Sequence, residues 1–330
     1  MGFMSGFIAF EVNQEAHVFS RGLIKKERQP LQDGFVEIRV AYSDINYKDA
    51  LAASKNGGVI RQYPMVPGID LAGEIVQSAD EAFPVGEHVL VTGYGLGVSA
   101  PGGYSQYQQV PTKWLIKIPE ALDAKRAMMF GTAGFTAALA VLALEEKKYP
   151  KEAAIYVTGA SGGVGSLSIH LLHKLGYQNI VAVTRKKAEW LTALGATEIV
   201  APSEIIQSTI KPLARQTITA IIDTVGGELL SALLPQLVYN GSAYLCGNAG
   251  GITFETTVLP FILRGIQVIG IDSVAVDQAV RQTVWDFLAA HHELLNQMKI
   301  REVLLSDLDE TIEALLAGEH EGRTIVKLDV

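Results

Sequence analysis

The sequence predicts an α/β protein built from two parts: a β-rich first third completed by the C-terminal tail, and a doubly wound parallel sheet between them. Three observations carry that expectation. The chain has 330 residues, more than one ordinary core organises. Its first third alternates apolar and polar residues and is punctuated by Gly and Pro. From residue 153 onward, short apolar runs alternate with helical segments, the pattern of βα units joined by right-handed crossovers.

Residues 7–12 and 35–42 read as half-buried strands, and 87–92 and 104–118 continue that character, with breaks at Pro64, Pro67, Gly68, Gly86 and Gly102-Gly103. Residues 124–144, rich in Ala and Leu, have helical spacing. Strands then fall at 153–157, 180–183, 198–200, 220–223, 243–246 and 266–271. Helices fall between them at 163–175, 187–194, 203–214 and 228–237. Beyond Val274 the pattern predicts helices at 278–294 and 308–318 and a last strand at 324–328 that returns to the first part. The expected division is 1–123 with 275–330 against 124–274.

Bulk properties exclude several classes. The net charge is −8, from 27 basic and 35 acidic residues, which disfavours nucleic acid or an anionic membrane as the main partner. A single cysteine, Cys246, permits neither an internal disulfide nor a cysteine-rich metal site. No apolar run reaches the roughly 18 residues that span a bilayer. The start MGFMSGFIAF lacks a basic n-region, and Gly6 stands where a myristoylation signal has Ser or Thr. The expected location is cytoplasmic.

The strand at 153–157 runs directly into Thr158-Gly159-Ala160-Ser161-Gly162-Gly163-Val164-Gly165 and then a helix. Strand, glycine turn and helix in that order are what pyrophosphate binding needs: glycines admit the phosphates to the backbone, and the helix N-terminus offers unpaired N–H groups and a positive dipole end. The spacing is G-x-x-G-x-x-G rather than G-x-G-x-x-G, so its place in the βα array gives it weight. At the tip of the next strand stands Thr184-Arg185-Lys186-Lys187, with no carboxylate before Glu189. An NAD site usually presents an acid there to the ribose 2′-hydroxyl, whereas cations suit a 2′-phosphate. The expected cofactor is NADPH.

A family resemblance rests on segments occurring in this order: Asn46-Tyr47-Lys48-Asp49, Pro64-Met65-Val66-Pro67-Gly68-Ile69-Asp70-Leu71-Ala72-Gly73, Gly131-Thr132-Ala133-Gly134-Phe135-Thr136-Ala137, the glycine loop, Ile222-Asp223-Thr224-Val225-Gly226, Pro260-Phe261-Ile262-Leu263-Arg264 and Gly322-Arg323-Thr324. Over nearly its whole length the chain resembles the zinc-independent medium-chain dehydrogenase/reductases, most narrowly the acryloyl-CoA reductase group, whose members are often described as quinone oxidoreductases. That resemblance implies a GroES-like catalytic domain, a Rossmann cofactor domain and a homodimer formed through the cofactor domains. It also implies no metal. Where zinc enzymes of the superfamily carry their ligands, this chain has Asn46, Ile69 and Asp70, too poor a set for Zn²⁺. The 7 histidines form no ligand motif.

Metal-free reduction of an α,β-unsaturated thioester asks for hydride at the β-carbon, hydrogen bonds to the thioester oxygen and a proton for the α-carbon. The candidate catalytic residues are Tyr47, Asn46 and Asp70: Tyr47 to touch the cofactor or relay a proton, Asn46 to orient nicotinamide or carbonyl, and Asp70 either catalytic or structural. Cofactor contacts are expected from Tyr47, Thr132, Ser161, Gly162, Gly163, Val164, Gly165, Thr184, Arg185 and Lys186. Resemblance adds Asn248, Ile262 and Ser273. Arg323 is expected either to reach the nicotinamide side or to cap its turn. Lys55 and Arg61 read equally as contacts to CoA phosphates or as solvated charges. The leading expectation is NADPH-dependent reduction of acryloyl-CoA. The competing ones are a quinone or enone reductase and an idle NADPH-binding sensor.

Overall fold

The computed structural model describes residues 6–16, 18–206 and 211–328. The chain divides into two compact units. Unit 1 comprises Met1–Thr132, Val274–Leu295 and Lys299–Val330, and unit 2 comprises Ala133–Ser273 with Asn296–Met298. The first division falls inside a long helix rather than ahead of it. Residues 124–132 stay with unit 1 because Arg323 donates to the carbonyls of Met128 and Met129. Val274 stays there because its carbonyl accepts from the Tyr94 N–H and from Arg281, each at 3.1 Å. Arg281 is itself fully buried, donates to the Thr92 carbonyl at 2.8 Å and lies over the Tyr94 ring.

Unit 1 begins with β1 (Gly6–Glu15) and β2 (Val18–Glu27), paired antiparallel. Next come β3 (Phe35–Asp44), α1 (Tyr47–Ala52), β4 (Asp70–Ser78), β5 (His88–Thr92), β6 (Tyr107–Pro111), β7 (Ile116–Lys117) and α2 (Ala124–Glu145), which crosses into unit 2. Unit 2 carries β8 (Ala154–Thr158), α3 (Gly163–Lys174), β9 (Asn179–Val183), β10 (Glu198–Val200), β11 (Ile218–Asp223), β12 (Leu237–Leu245) and β13 (Gln267–Gly270). β14 (Ile300–Leu304) and β15 (Arg323–Lys327) belong to unit 1.

The larger sheet of unit 1 runs β14-β15-β3-β4-β5-β7, with β6 paired to β3. Ile38 and Val40 of β3, Ile75 of β4 and Val89 and Val91 of β5 are fully buried in its core, as period-2 alternation requires. Unit 2 is a six-stranded parallel sheet in the order β10-β9-β8-β11-β12-β13. Its strands are nearly continuous apolar runs, such as Ile180, Val181, Ala182 and Val183, because helices cover a parallel sheet on both faces. Strand order reverses between β8 and β11, which makes their C-terminal ends the switch point where such sheets bind ligands.

The elements differ from the sequence expectation where local pattern is outweighed by context. β2, β4 and β14 were not expected as strands; β2 and β14 carry charges along a half-exposed ladder. Residues 104–118 split into β6, a 3₁₀ turn and β7. The helix expected at 187–194 is the single turn Trp190–Ala193. That expected at 203–214 is the turn Pro202–Ile205, and its middle lies outside the described residues. Pro235 ends the helix expected at 228–237, and β12 starts at Leu237. By length and composition α2 is a helix apolar enough to cross a membrane, although no unbroken apolar run of that length was expected; most of that window is buried inside the protein.

Candidate active site

In unit 1 the end of β3, the start of β4, α1 and α2 converge on buried polar groups. Asp44 is the last residue of β3, Asp70 the first of β4 and Asp49 lies in α1; none is accessible to solvent. The Asn46 side-chain nitrogen donates to Asp44 Oδ1 at 2.8 Å and to Asp70 Oδ2 at 2.9 Å, while its oxygen accepts from Arg323 Nη1 at 3.2 Å. Both amide protons are thereby used. Asp70 also accepts the Thr132 hydroxyl at 2.6 Å and the Thr132 N–H at 2.8 Å. Arg323 forms an ion pair with Asp44. Asp49 accepts the N–H groups of Asn46 and Ile69, each at 2.9 Å, and so ties the start of α1 to the segment entering β4.

Gly131 breaks α2 here, at φ 52° and ψ −156°, a conformation essentially reserved for glycine. A Cβ at Gly131 would strike Asp44 Oδ2. The break also presents the Thr132 N–H to Asp70.

Against these three carboxyl groups the described residues place one guanidinium, that of Arg323. Burial first, then the neighbouring Asp70, holds the Asp44 carboxyl well above the ordinary aspartate range, although Arg323 opposes the rise. The same two causes push Asp49 up to about 7. Desolvation therefore outweighs the hydrogen bonds that favour the ionised forms.

Of the catalytic and cofactor-contact residues expected in this unit, Tyr47 alone is exposed. It opens α1 with 38% of its surface accessible. Asn46, Asp70, Thr132 and Arg323 bond to one another instead. Arg323 neither caps its turn nor faces outward; it is 2% exposed, and its donors go to Asp44, Asn46, Met128 and Met129. Lys55 and Arg61 are exposed.

In unit 2 the glycine loop joins β8 to α3. The first N–H groups of that 12-residue helix have no partner within it. Ser161 and Thr184 are buried with their hydroxyls 3.0 Å apart, so the loop is tied to the tip of β9. The Lys186 N–H donates to the Thr184 hydroxyl at 3.2 Å, and Arg185 projects from the same tip, exposed. Asn248 is exposed just beyond β12, Ile262 is 70% exposed and Ser273 is half-buried. At the end of β11, Asp223 is buried and accepts the Thr158 hydroxyl at 2.6 Å and the Gly226 N–H at 2.8 Å. Burial raises its carboxyl above the ordinary value.

Sequence reasoning missed Asp44, Asp49 and Asp223 as organisers. Asp49 and Asp223 stand inside segments that were singled out, and their signal is position: an acid at the fourth place of Asn46-Tyr47-Lys48-Asp49, and an acid closing a strand before Thr224-Val225-Gly226. Asp44 carries no comparable mark.

The donors at the zinc positions do not fit the metal. Ile69 offers no ligating atom, the Asn46 nitrogen is spent on two carboxylates, and both Asp70 oxygens accept hydrogen bonds. Among the described residues no group of three or more His, Cys, Asp or Glu could hold a metal ion.

Two family models match the chain: the alcohol dehydrogenase GroES-like domain over residues 32–120 and the zinc-binding dehydrogenase over residues 163–290. A GroES-like domain followed by a parallel Rossmann-type sheet defines the class as that of the medium-chain oxidoreductases. The acrylyl-CoA reductase AcuI of Ruegeria pomeroyi is 43% identical, over 90% of this chain and 91% of its own. YhfP of Bacillus subtilis, which is named provisionally as a quinone oxidoreductase, is 43% identical with the same coverage. Its crystal structure with NAD bound matches at a TM-score of 0.92 and 40% identity, over 98% of this chain and 100% of that one. The crystal structure of Escherichia coli K-12 YHDH with bound NADPH matches at a TM-score of 0.92 and 41% identity, over 97% and 100%. The chain belongs to the medium-chain dehydrogenase/reductase family, in its AcuI/YhdH type.

Proposed function

We propose that this chain uses NADPH, without a metal, to reduce the activated C=C bond of acryloyl-CoA or a similar α,β-unsaturated thioester. The observation that carries the reading is the 43% identity to an acrylyl-CoA reductase over 90% of the chain, joined to the cationic strand tip Thr184-Arg185-Lys186-Lys187. The relatives' cofactors do not decide between the nicotinamides, since one structure holds NADPH and another NAD. The tip supports NADPH, because it offers cations and no carboxylate.

NADPH would supply the hydride that the β-carbon accepts. The chain's own share is binding, orientation and proton handling. Gly162, Gly163, Val164 and Gly165 hold the pyrophosphate on the N-terminus of α3, with Ser161 and Thr184 fixing the loop. Arg185 and Lys186 take the 2′-phosphate, and Asn248, Ile262 and Ser273 line the rest of the dinucleotide. Tyr47 contacts cofactor or substrate. Asn46, Asp70, Thr132 and Arg323 act as positioning residues that hold the start of α1. Enolate charge on the thioester oxygen is met by hydrogen bonds rather than by a Lewis acid. A homodimer formed through the cofactor domains completes the reading.

The test is NADPH oxidation measured in parallel with acryloyl-CoA, crotonyl-CoA and a quinone, with and without chelator. Acryloyl-CoA is expected to give the highest kcat/KM, unchanged by chelator. Preference for the quinone overturns the substrate. Tight NADPH binding with no turnover on any acceptor replaces the enzyme with a sensor.

A further inference from the structure

We infer that Thr158, Asp223 and Thr224 form a latch that pre-sets the glycine loop for the dinucleotide, without touching it; the inference rests on the NADPH reading above. Thr158 is the last residue of β8 and Asp223 the last of β11, and these strands are neighbours at the switch point of the sheet. Thr158 is fully buried, and its hydroxyl is spent within the sheet end. It donates to Asp223 Oδ1 at 2.6 Å and accepts the Thr224 N–H at 2.9 Å. The Thr224 hydroxyl donates back to the Thr158 carbonyl at 2.9 Å. Three hydrogen bonds thus cross between the strand ends where the loop departs.

The next residue, Gly159, has φ 58°. A Cβ there would strike the Thr224 hydroxyl, so the latch and the left-handed turn occupy the same few ångströms. Asp223 is held in turn by the Gly226 N–H at 2.8 Å. A loop already fixed in its binding shape pays no ordering cost when the ligand arrives, and a loosened one does.

The test uses the full chain with Thr158→Val, Thr158→Ser and Thr224→Val. NADPH Kd is read by titration of the bound cofactor's fluorescence, and NADPH KM and kcat are read beside it. Thermal unfolding of each variant confirms that titrations run on folded protein. Thr158→Val is isosteric but lacks the hydroxyl; it is expected to raise Kd and KM about three- to tenfold, with kcat at saturating NADPH unchanged. Thr158→Ser restores the hydroxyl and is expected within about twofold of wild type. Thr224→Val is expected to weaken binding as Thr158→Val does. Wild-type Kd in Thr158→Val overturns the latch while leaving the cofactor reading intact. Equal loss in the Ser and Val variants overturns it as well. Failure of the wild type to bind any nicotinamide dinucleotide overturns both.

Discussion

The two units organise polar residues in opposite ways. In unit 1, Asp44, Asn46, Asp49, Asp70 and Arg323 turn inward and satisfy one another, leaving Tyr47 as the exposed candidate. In unit 2 the expected contact groups Arg185 and Asn248 lie exposed beside strand ends, while the buried polar groups Ser161, Thr184 and Asp223 hold loops in place. The lesson is that residue chemistry alone does not reveal a buried network. An Asn beside two Asp residues reads as catalytic from its chemistry, yet both its amide protons have internal acceptors, whereas the glycine loop was read from its position after a strand.

The comparison breaks first at Arg323. If its value lies in compensating Asp44, Arg323→Met strands a buried carboxylate and costs about 3–5 kcal/mol, read by denaturant unfolding. A loss under about 1 kcal/mol would put Arg323 among ordinary surface pairs. Gly131→Ala comes next. Backbone strain alone costs about 1–3 kcal/mol, and the added methyl meets Asp44; an unperturbed Ala variant would mean that α2 can close its break.

Asp49→Asn tests the clamp on α1. An amide can accept only one of the two N–H groups well, so a loss of about 1–3 kcal/mol is expected. The sign with pH follows from Asp49 rising to about 7 from the ordinary aspartate value of 3.8. The folded state holds that proton more tightly than the unfolded one. Stability from this group is therefore complete below the unfolded value and is lost as pH rises toward 7. The gap between wild type and Asp49→Asn should narrow from pH 5 to pH 8, and a widening gap would contradict the assignment.

The smallest effect on stability is expected at Tyr47. Because the side chain is largely outside the network, Tyr47→Phe should unfold within about 0.5 kcal/mol of wild type yet lose about ten- to hundredfold in kcat/KM. Equal activity would remove Tyr47 from the site.

Much of unit 2 was legible because its signals are local. Strand, glycine turn and helix are adjacent in the chain, and Thr184-Arg185-Lys186-Lys187 stands one strand further on. Unit 1 resisted because its contacts are not local. Asp44 meets Arg323 279 positions away, and nothing near either residue announces the pair. β2 was missed because Val18–Glu27 mixes charges with half-buried positions, although Phe19 and Ile24 pack against the core. Of the helix expected at 203–214, the described residues form only Pro202–Ile205.

We propose that unit 2 selects its cofactor at the tip of β9. The direct measurement is the ratio of kcat/KM for NADPH over NADH in wild type and in Arg185→Asp. Wild type is expected to favour NADPH by at least about tenfold, and the variant to reverse that preference, since a charge-assisted hydrogen bond is worth about 1.5–3 kcal/mol. An unchanged ratio in Arg185→Asp would contradict the assignment.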